Sequence, residues 1–247
     1  MSKWIDGKVT AVRCWNSRLK SLIIEAPLES FESGQFVRIG LEQDGEVIAR
    51  PYSLVNTADD NYLEVYFNIV EEGPLSPLLF ELKAGDHIYV GPRPSGFLTI
   101  SEVPATEHIW LFATGTGIGP FVSILKSTAV WEKYSKVVLC YSVRSPDELA
   151  YIDEIKTLTE SHADQLIFIP TVTRAEYSGA LSARFPQTLQ DGTMETLAGV
   201  EINPNHSQVM MCGSTDMIRD VSDFLKSRGM KKHRRRDPGH FTTEKYH

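Results

Sequence analysis

The hydrophobic pattern changes period once, near residue 100, and that change restricts the chain to an all-β unit followed by an α/β unit. Up to about Leu98, short apolar runs cover residues 8–13, 21–25, 35–40, 62–67 and 87–90, separated by turn residues. Alternation at period two with such close spacing predicts a small antiparallel β-barrel. One helix is expected to interrupt it over residues 75–82, ended by Lys83-Ala84-Gly85-Asp86. Beyond Ser101-Glu102-Val103-Pro104 the runs lengthen. Strands over residues 108–113, 137–142, 166–170 and 208–212 alternate with helical or polar stretches, the first leading through a glycine turn into a helix that ends at Ser127. Strand–helix alternation predicts a parallel sheet with helices on both faces. A length of 247 residues suits two modest domains, taken as 1–100 and 101–247.

The turn Ala113-Thr114-Gly115-Thr116-Gly117-Ile118-Gly119-Pro120 lies between a strand and a helix. Small residues there let a ligand approach the backbone, and the helix start faces an anion. The third glycine comes one residue earlier than in G-x-G-x-x-G and proline opens the helix, so the run also reads as a plain tight turn. The next strand ends at Ser142-Val143-Arg144, where an enzyme that holds a ribose 2′-hydroxyl more often carries an acid. Arg144 favours a 2′-phosphate. Thr173-Arg174 follows the third strand and Arg184 lies in the loop after it, so three cations are expected at the carboxyl edge of the sheet, unless each is a separate solvated arginine.

In the first half, Arg50-Pro51-Tyr52-Ser53 follows Val47-Ile48-Ala49. On a strand this offers a cation, a flat ring and a hydroxyl to a large, aromatic and anionic ligand, or an ordinary surface cation–π pair. Together with the glycine turn, Cys212-Gly213 with Asp216-Met217, and the ending Pro238-Gly239-His240-Phe241-Thr242-Thr243-Glu244-Lys245-Tyr246, this motif makes the chain resemble the ferredoxin–NADP+ reductase family over nearly its whole length, most closely the short bacterial flavodoxin/ferredoxin reductases. R-x-Y-S is that family's flavin signature. Four ordered motifs are specific together, and none is alone.

The resemblance implies an FAD-binding N-terminal antiparallel β-barrel and a C-terminal parallel-sheet, Rossmann-like NADP-binding domain whose tail returns to the flavin. It places Arg50, Pro51, Tyr52 and Ser53 on FAD, with Arg50 at the pyrophosphate, Tyr52 on the isoalloxazine and Ser53 near flavin N5. Tyr66, Phe67 and Asn68 would line the flavin from a neighbouring strand. Pro74, Leu75 and Ser76 would present the barrel's helix start to the pyrophosphate, although Ser76 before Pro77 also reads as an ordinary cap. Thr116, Tyr246 and His247 complete the implied FAD set. Relatives usually end in Tyr-Trp, and a histidine stacks less strongly. Thr114, Gly115, Val143, Arg144, Thr173, Arg174, Arg184, Gly213, Ser214 and Asp216 form the implied NADP site. Ser53, Cys212 and Glu244 are the implied catalytic residues; the alternatives are packing at a strand end for Cys212 and a solvated acid for Glu244.

Such a protein exchanges electrons between NADPH, a two-electron hydride donor, and a one-electron carrier such as ferredoxin or flavodoxin. Competing readings are an NAD(P)H-dependent flavin or ferric reductase, an oxygenase electron-transfer component, and a flavin-free binding module on the same fold. Composition narrows these. Cys14, Cys140 and Cys212 are widely spaced with no C-x-x-C, which gives no disulfide framework and no iron–sulfur or zinc site, and the seven histidines lack ligand spacing, so no metal is expected. A net charge of −7 argues against nucleic-acid binding. The run Lys231-Lys232-His233-Arg234-Arg235-Arg236 is the exception, either a solvated face or a docking patch for an acidic carrier. With no apolar run of about 20 residues and a charged start, a cytoplasmic monomer without membrane insertion is expected.

Overall fold

The computed structural model describes residues 4–245, and Tyr246 and His247 lie outside them. The first sheet contains β1 (Ile5–Cys14), β2 (Leu19–Glu25), β3 (Phe36–Gln43), β4 (Glu46–Ser53), β5 (Leu63–Asn68) and β6 (His87–Val90) in the order β4-β3-β6-β1-β2-β5. Every pairing in it is antiparallel. The sheet curls until its two edges approach: Leu54 bridges Val65, and Val55 N–H donates to the Glu64 carbonyl at 2.9 Å. Its interior holds Val9, Leu22, Ile24, Val37, Ile39, Val65 and Phe67, the inward residues of period-two strands. Pro51 is tolerated because β4 is an edge strand in the hydrogen-bond ladder.

Helix α1 (Ser76–Glu81) is the expected interruption, but its opening differs from the sequence reading. Leu75 holds the cap position without a side-chain cap, and Ser76 is the first helical residue. Its hydroxyl turns back to accept from Val70 N–H at 2.9 Å. Ser76 therefore closes the preceding loop and does not cap the helix.

The second sheet is wholly parallel, ordered β11-β10-β7-β8-β9, from β7 (His108–Thr114), β8 (Lys136–Val143), β9 (Leu166–Val172), β10 (Ser207–Gly213) and β11 (Phe241–Lys245). Alternate residues of its strands enter two separate cores. Ile109, Leu111, Val137 and Leu139 meet α2 (Ile118–Lys126), α3 (Ala129–Lys133) and α4 (Ile152–Ser161) on one face. Trp110, Phe112, Val138 and Cys140 meet α5 (Phe185–Gln190), α6 (Thr193–Ala198) and α7 (Thr215–Ser227) on the other. Burial on both faces explains why these strands read as continuous apolar runs. Helix α7 presents Met217, Ile218, Val221 and Leu225 inward, and the Ser214 hydroxyl caps it by accepting from Met217 N–H at 3.3 Å.

The two sheets share a core. Leu19, Val55, Tyr66, Leu98 and Ile100 pack into the same cluster as Phe121 and Leu125 of α2. Buried Ser123 of α2 donates to the Asn56 carbonyl at 2.6 Å, and the Asn56 side chain in turn organises the crossing loop through Tyr62 and Glu64. Among the described residues no helix is long and apolar enough to cross a membrane.

Candidate active site

Sheet order fixes where a nucleotide can lie. Helices connecting β7 to β8 and β9 cover one face and those flanking β10 cover the other, so the connections diverge at the carboxyl ends of β7 and β10. Open α/β sheets bind ligands at such a switch point. Two glycine turns meet there. After β7, Gly115 has φ +53° and begins a short 3₁₀ turn ahead of α2. At the end of β10, Gly213 has φ +151°, and a Cβ on it would lie 2.1 Å from Thr114 Oγ1. Only glycine fits against that hydroxyl, which also accepts from Ser214 N–H at 2.9 Å. Thr114, Gly213 and Ser214 thus form one joint, with Gly115 beside it and Asp216 in the first turn of α7.

The arginine prediction resolves into a pair and an outlying third. Thr173 N–H donates to Val143 O at 3.0 Å and Arg174 N–H to Arg144 O at 2.8 Å, so Arg144 and Arg174 leave neighbouring strands side by side. Both are exposed. Arg184 is also exposed and caps α5, in a loop tied to β9 by the Thr171–Leu181 bridge.

On the barrel side, β4 ends at Arg50-Pro51-Tyr52-Ser53 facing the incoming tail. Arg50 is exposed, and the half-buried Tyr52 ring meets Phe67 edge-on at 5.9 Å. Burial pushes the Tyr52 phenol up to about 12, offset in part by the Arg50 charge. Tyr66 and Phe67 are placed differently from the sequence expectation. Tyr66 is 5% exposed and packs edge-on to Trp15 and Tyr151, while Phe67 sits inside the barrel. Neither ring faces an open surface, which leaves this strand's backbone and exposed Asn68 for a ligand.

The strand that the sequence reading missed is β11. Its apolar content is low, and only pairing along β10 makes it a strand, with Cys212 opposite Glu244. That pairing carries Glu244 back to the barrel, where Ser53 Oγ donates to Glu244 Oε1 at 3.3 Å across 191 residues of chain. Gly96, at φ +114°, lies beside the other oxygen: a Cβ there would touch Glu244 Oε2 at 3.4 Å and press on the Phe36 ring at 3.1 Å. Burial raises the Glu244 carboxyl to about 7, against the opposing effect of the Ser53 hydrogen bond. Cys212 is fully buried, and burial followed by the Glu244 charge pushes its thiol well up, so it stays protonated.

The raised Glu244 gives a stability prediction. Its folded value lies above the ordinary value of 4.5, so its favourable contribution is complete below that value and is lost as pH rises through about 7. A shift of this size is worth roughly 1–3 kcal/mol. Glu244→Gln is expected to flatten the fall in Tm between pH 5 and pH 8 by several degrees relative to the parent. Thermal unfolding at both pH values checks this; parallel pH profiles would contradict the buried carboxyl.

The donor set fits the two cofactors implied by the resemblance. Arg50, the uncapped start of α1 with first-turn N–H groups that lack intrahelical acceptors, and a half-buried aromatic ring suit a flat ligand bearing a diphosphate. The glycine joint and the Arg144–Arg174 pair suit a second, phosphorylated nucleotide. Among the described residues no group of three or more His, Cys, Asp or Glu side chains is arranged to hold a metal.

Comparison with known proteins agrees with this arrangement. Residues 9–96 match the oxidoreductase FAD-binding domain and residues 111–223 the oxidoreductase NAD-binding domain. The chain is 40% identical to a flavodoxin/ferredoxin–NADP reductase of Escherichia coli and 37% identical to one of Buchnera aphidicola, in both cases over the full length of both chains. A crystal structure of a ferredoxin NADP+ reductase from Neisseria gonorrhoeae with bound FAD and NADP superposes with a TM-score of 0.94 at 30% identity, covering 99% of each chain. A curled antiparallel sheet carrying R-x-Y-S, a parallel sheet with paired arginines at its switch-point edge, and full-length similarity agree: this chain belongs to the flavodoxin/ferredoxin–NADP reductase family of FAD-dependent oxidoreductases.

Proposed function

We propose that the chain passes electrons between NADPH and an acidic one-electron carrier, with residues 1–100 holding FAD and residues 101–247 holding NADP. The observation that carries this reading is the convergence of Ser53, Gly96 and Glu244 beside the Thr114–Gly213 joint, which puts a barrel edge and a nucleotide-binding edge at one place. FAD, when bound, accepts a hydride as two electrons and releases them singly. The protein's own task is positioning.

Arg50 neutralises the diphosphate, with Pro74, Leu75 and Ser76 presenting the opening of α1 to it. Tyr52 supplies the stacking surface, its ring supported edge-on by Phe67. Pro51, Asn68, Thr116 and the β5 backbone at Tyr66 and Phe67 would line the flavin. Ser53 and Glu244 hold a hydrogen bond, and a proton on Glu244 near neutral pH, at the point where nicotinamide meets flavin. Cys212 backs that point as an uncharged thiol. Thr114, Gly115, Gly213, Ser214 and Asp216 surround the NADP pyrophosphate and nicotinamide end, while Val143, Arg144, Thr173, Arg174 and Arg184 take its 2′-phosphate end.

The basic run supports the carrier assignment. Lys231 pairs with Asp237 and Arg235 with Glu102, which fixes the loop, while Arg234 and Arg236 are exposed. Arg235 also lies 4.4 Å over Phe97, a ring 57% exposed and adjacent to Gly96. The positive loop therefore sits beside the Glu244 end of the site, where an acidic partner would come close to the flavin. Steering by such charge acts on association rate and weakens with salt.

Steady-state reduction of a ferredoxin or flavodoxin by NADPH, coupled to cytochrome c, tests the reading. Arg234→Glu with Arg236→Glu is expected to lower kcat/KM for the carrier about tenfold at low salt. NADPH–ferricyanide turnover should be unaffected, and equal carrier kinetics at low salt would remove the docking role.

A further inference from the structure

The nucleotide-binding loop after β8 is held from the other domain, a feature that the proposed roles do not use. Residues 144–151 carry Arg144 at one end and Tyr151 at the other. Within its own domain the loop is tied through Glu148, whose Oε2 accepts from Arg144 N–H at 3.0 Å and whose carbonyl accepts from Tyr141 Oη at 3.0 Å. Arg174 N–H also donates to the Arg144 carbonyl at 2.8 Å, and the rest of the loop is tied to the β1–β2 hairpin and β5 of the barrel.

Three contacts make up that clamp. Asn16, shaped into a turn by Arg18 N–H on its Oδ1, donates its Nδ2 to both the carbonyl and Oδ2 of Asp147 at 3.1 Å. Arg13 lies flat on Trp15 at 3.8 Å and pairs with Glu154 in the first turn of α4. The third contact is buried. Trp15 Nε1 donates to Ser21 Oγ at 2.9 Å, and Tyr151 Oη donates to Glu64 Oε1 at 2.7 Å. Ser21 Oγ and Tyr151 Oη lie 2.6 Å apart, and with the Tyr151 proton committed to Glu64, Ser21 is the donor between them. The result is one directed chain, Trp15 to Ser21 to Tyr151 to Glu64, that crosses the domain boundary and ends on a carboxylate.

Tyr151 adopts φ +59°, a backbone conformation that side chains other than glycine and asparagine rarely take. Its ring is fully buried between Trp15 and Tyr66. A strained residue persists where surrounding contacts over-determine it, and here those contacts belong to the barrel.

We propose that the β1–β2 turn is a positioning device for NADP selectivity: Asn16 and Tyr151 hold the 144–151 loop so that Arg144 is pre-set for the 2′-phosphate. This rests on the reading of Arg144 as a 2′-phosphate ligand. Asn16 and Tyr151 touch no substrate; they act through the loop. A released loop must be ordered when the nucleotide binds, which weakens binding of the phosphate that Arg144 meets and leaves the rest of the nucleotide unaffected.

The test uses the FAD-loaded protein and isothermal titration with adenosine 2′,5′-bisphosphate and with 5′-AMP. Asn16→Ala, at the surface, and Tyr151→Phe, which keeps the ring, are each expected to weaken the bisphosphate three- to tenfold with 5′-AMP changed less than twofold. In an Arg144→Ala background, Asn16→Ala should have no further effect, which a merely structural loosening would not produce. If Arg144→Ala weakens the bisphosphate while both clamp variants bind like the parent, the positioning role is overturned and the arginine reading stands. If Arg144→Ala itself binds like the parent, the underlying reading fails. Equal losses for both ligands in the clamp variants would also overturn the proposal, because the loop's effect would then not be specific to the 2′-phosphate.

Discussion

Arg144→Ala combined with Arg174→Ala is expected to cut the preference for NADPH over NADH by at least about a hundredfold in kcat/KM. Each charge-assisted contact to a phosphate contributes about 1.5–3 kcal/mol, and a tenfold change corresponds to about 1.4 kcal/mol. The geometry favours joint action. The two arginines leave adjacent parallel strands joined by the Arg174–Arg144 backbone hydrogen bond, so one phosphate can meet both. NADH carries no 2′-phosphate, and its turnover should change little. The loss should fall mainly in KM for NADPH, because a contact remote from the reacting carbon is made equally in ground and transition states. A double variant that kept its NADPH preference would place the 2′-phosphate elsewhere on the sheet edge.

The second large effect is expected at the barrel. Arg50→Ala should weaken FAD binding by about ten- to a hundredfold, the cost of one lost charge-assisted contact to the diphosphate. Tyr52→Ala should weaken it further, because it removes the half-buried ring and leaves Phe67 without its edge contact at 5.9 Å. Neither position belongs to the fully buried interior of the barrel, so both variants should fold. Recovery of flavin fluorescence on dilution measures the effect. Full retention of FAD by both variants would show that the R-x-Y-S strand does not hold it.

Different parts of this structure were legible in the sequence to different degrees. Nine of the first ten strands were, because each carries its own local pattern: alternation in the barrel, and continuous apolar runs where both faces of the parallel sheet are covered; β4 entered only as the strand on which Arg50-Pro51-Tyr52-Ser53 would sit. Strand β11 carried no such pattern. Phe241-Thr242-Thr243-Glu244-Lys245 has a single apolar residue, and it becomes a strand only by lying along β10. The residue types of the site were visible as motifs, whereas their orientation was not. Tyr66 looked like a flavin-lining aromatic, but the face of β5 that it occupies is covered by Trp15 and Tyr151, which are 51 and 85 residues away in the sequence. Ser76 looked like a cap because serine before proline commonly is one, yet a hydrogen bond to the loop behind it takes precedence. The Trp15–Ser21–Tyr151–Glu64 chain gave no signal at all, since hydrogen bonds across a domain boundary leave no spacing in a sequence.

On the proposed function, one chain brings FAD and NADPH together for hydride transfer. Anaerobic titration of the purified protein with NADPH, and separately with NADH, while the visible spectrum is recorded, tests it most directly. The expected result is a yellow protein whose flavin band bleaches stoichiometrically with NADPH and far less readily with NADH. A protein that takes up no flavin, or one whose flavin is reduced equally well by both nucleotides, would contradict it.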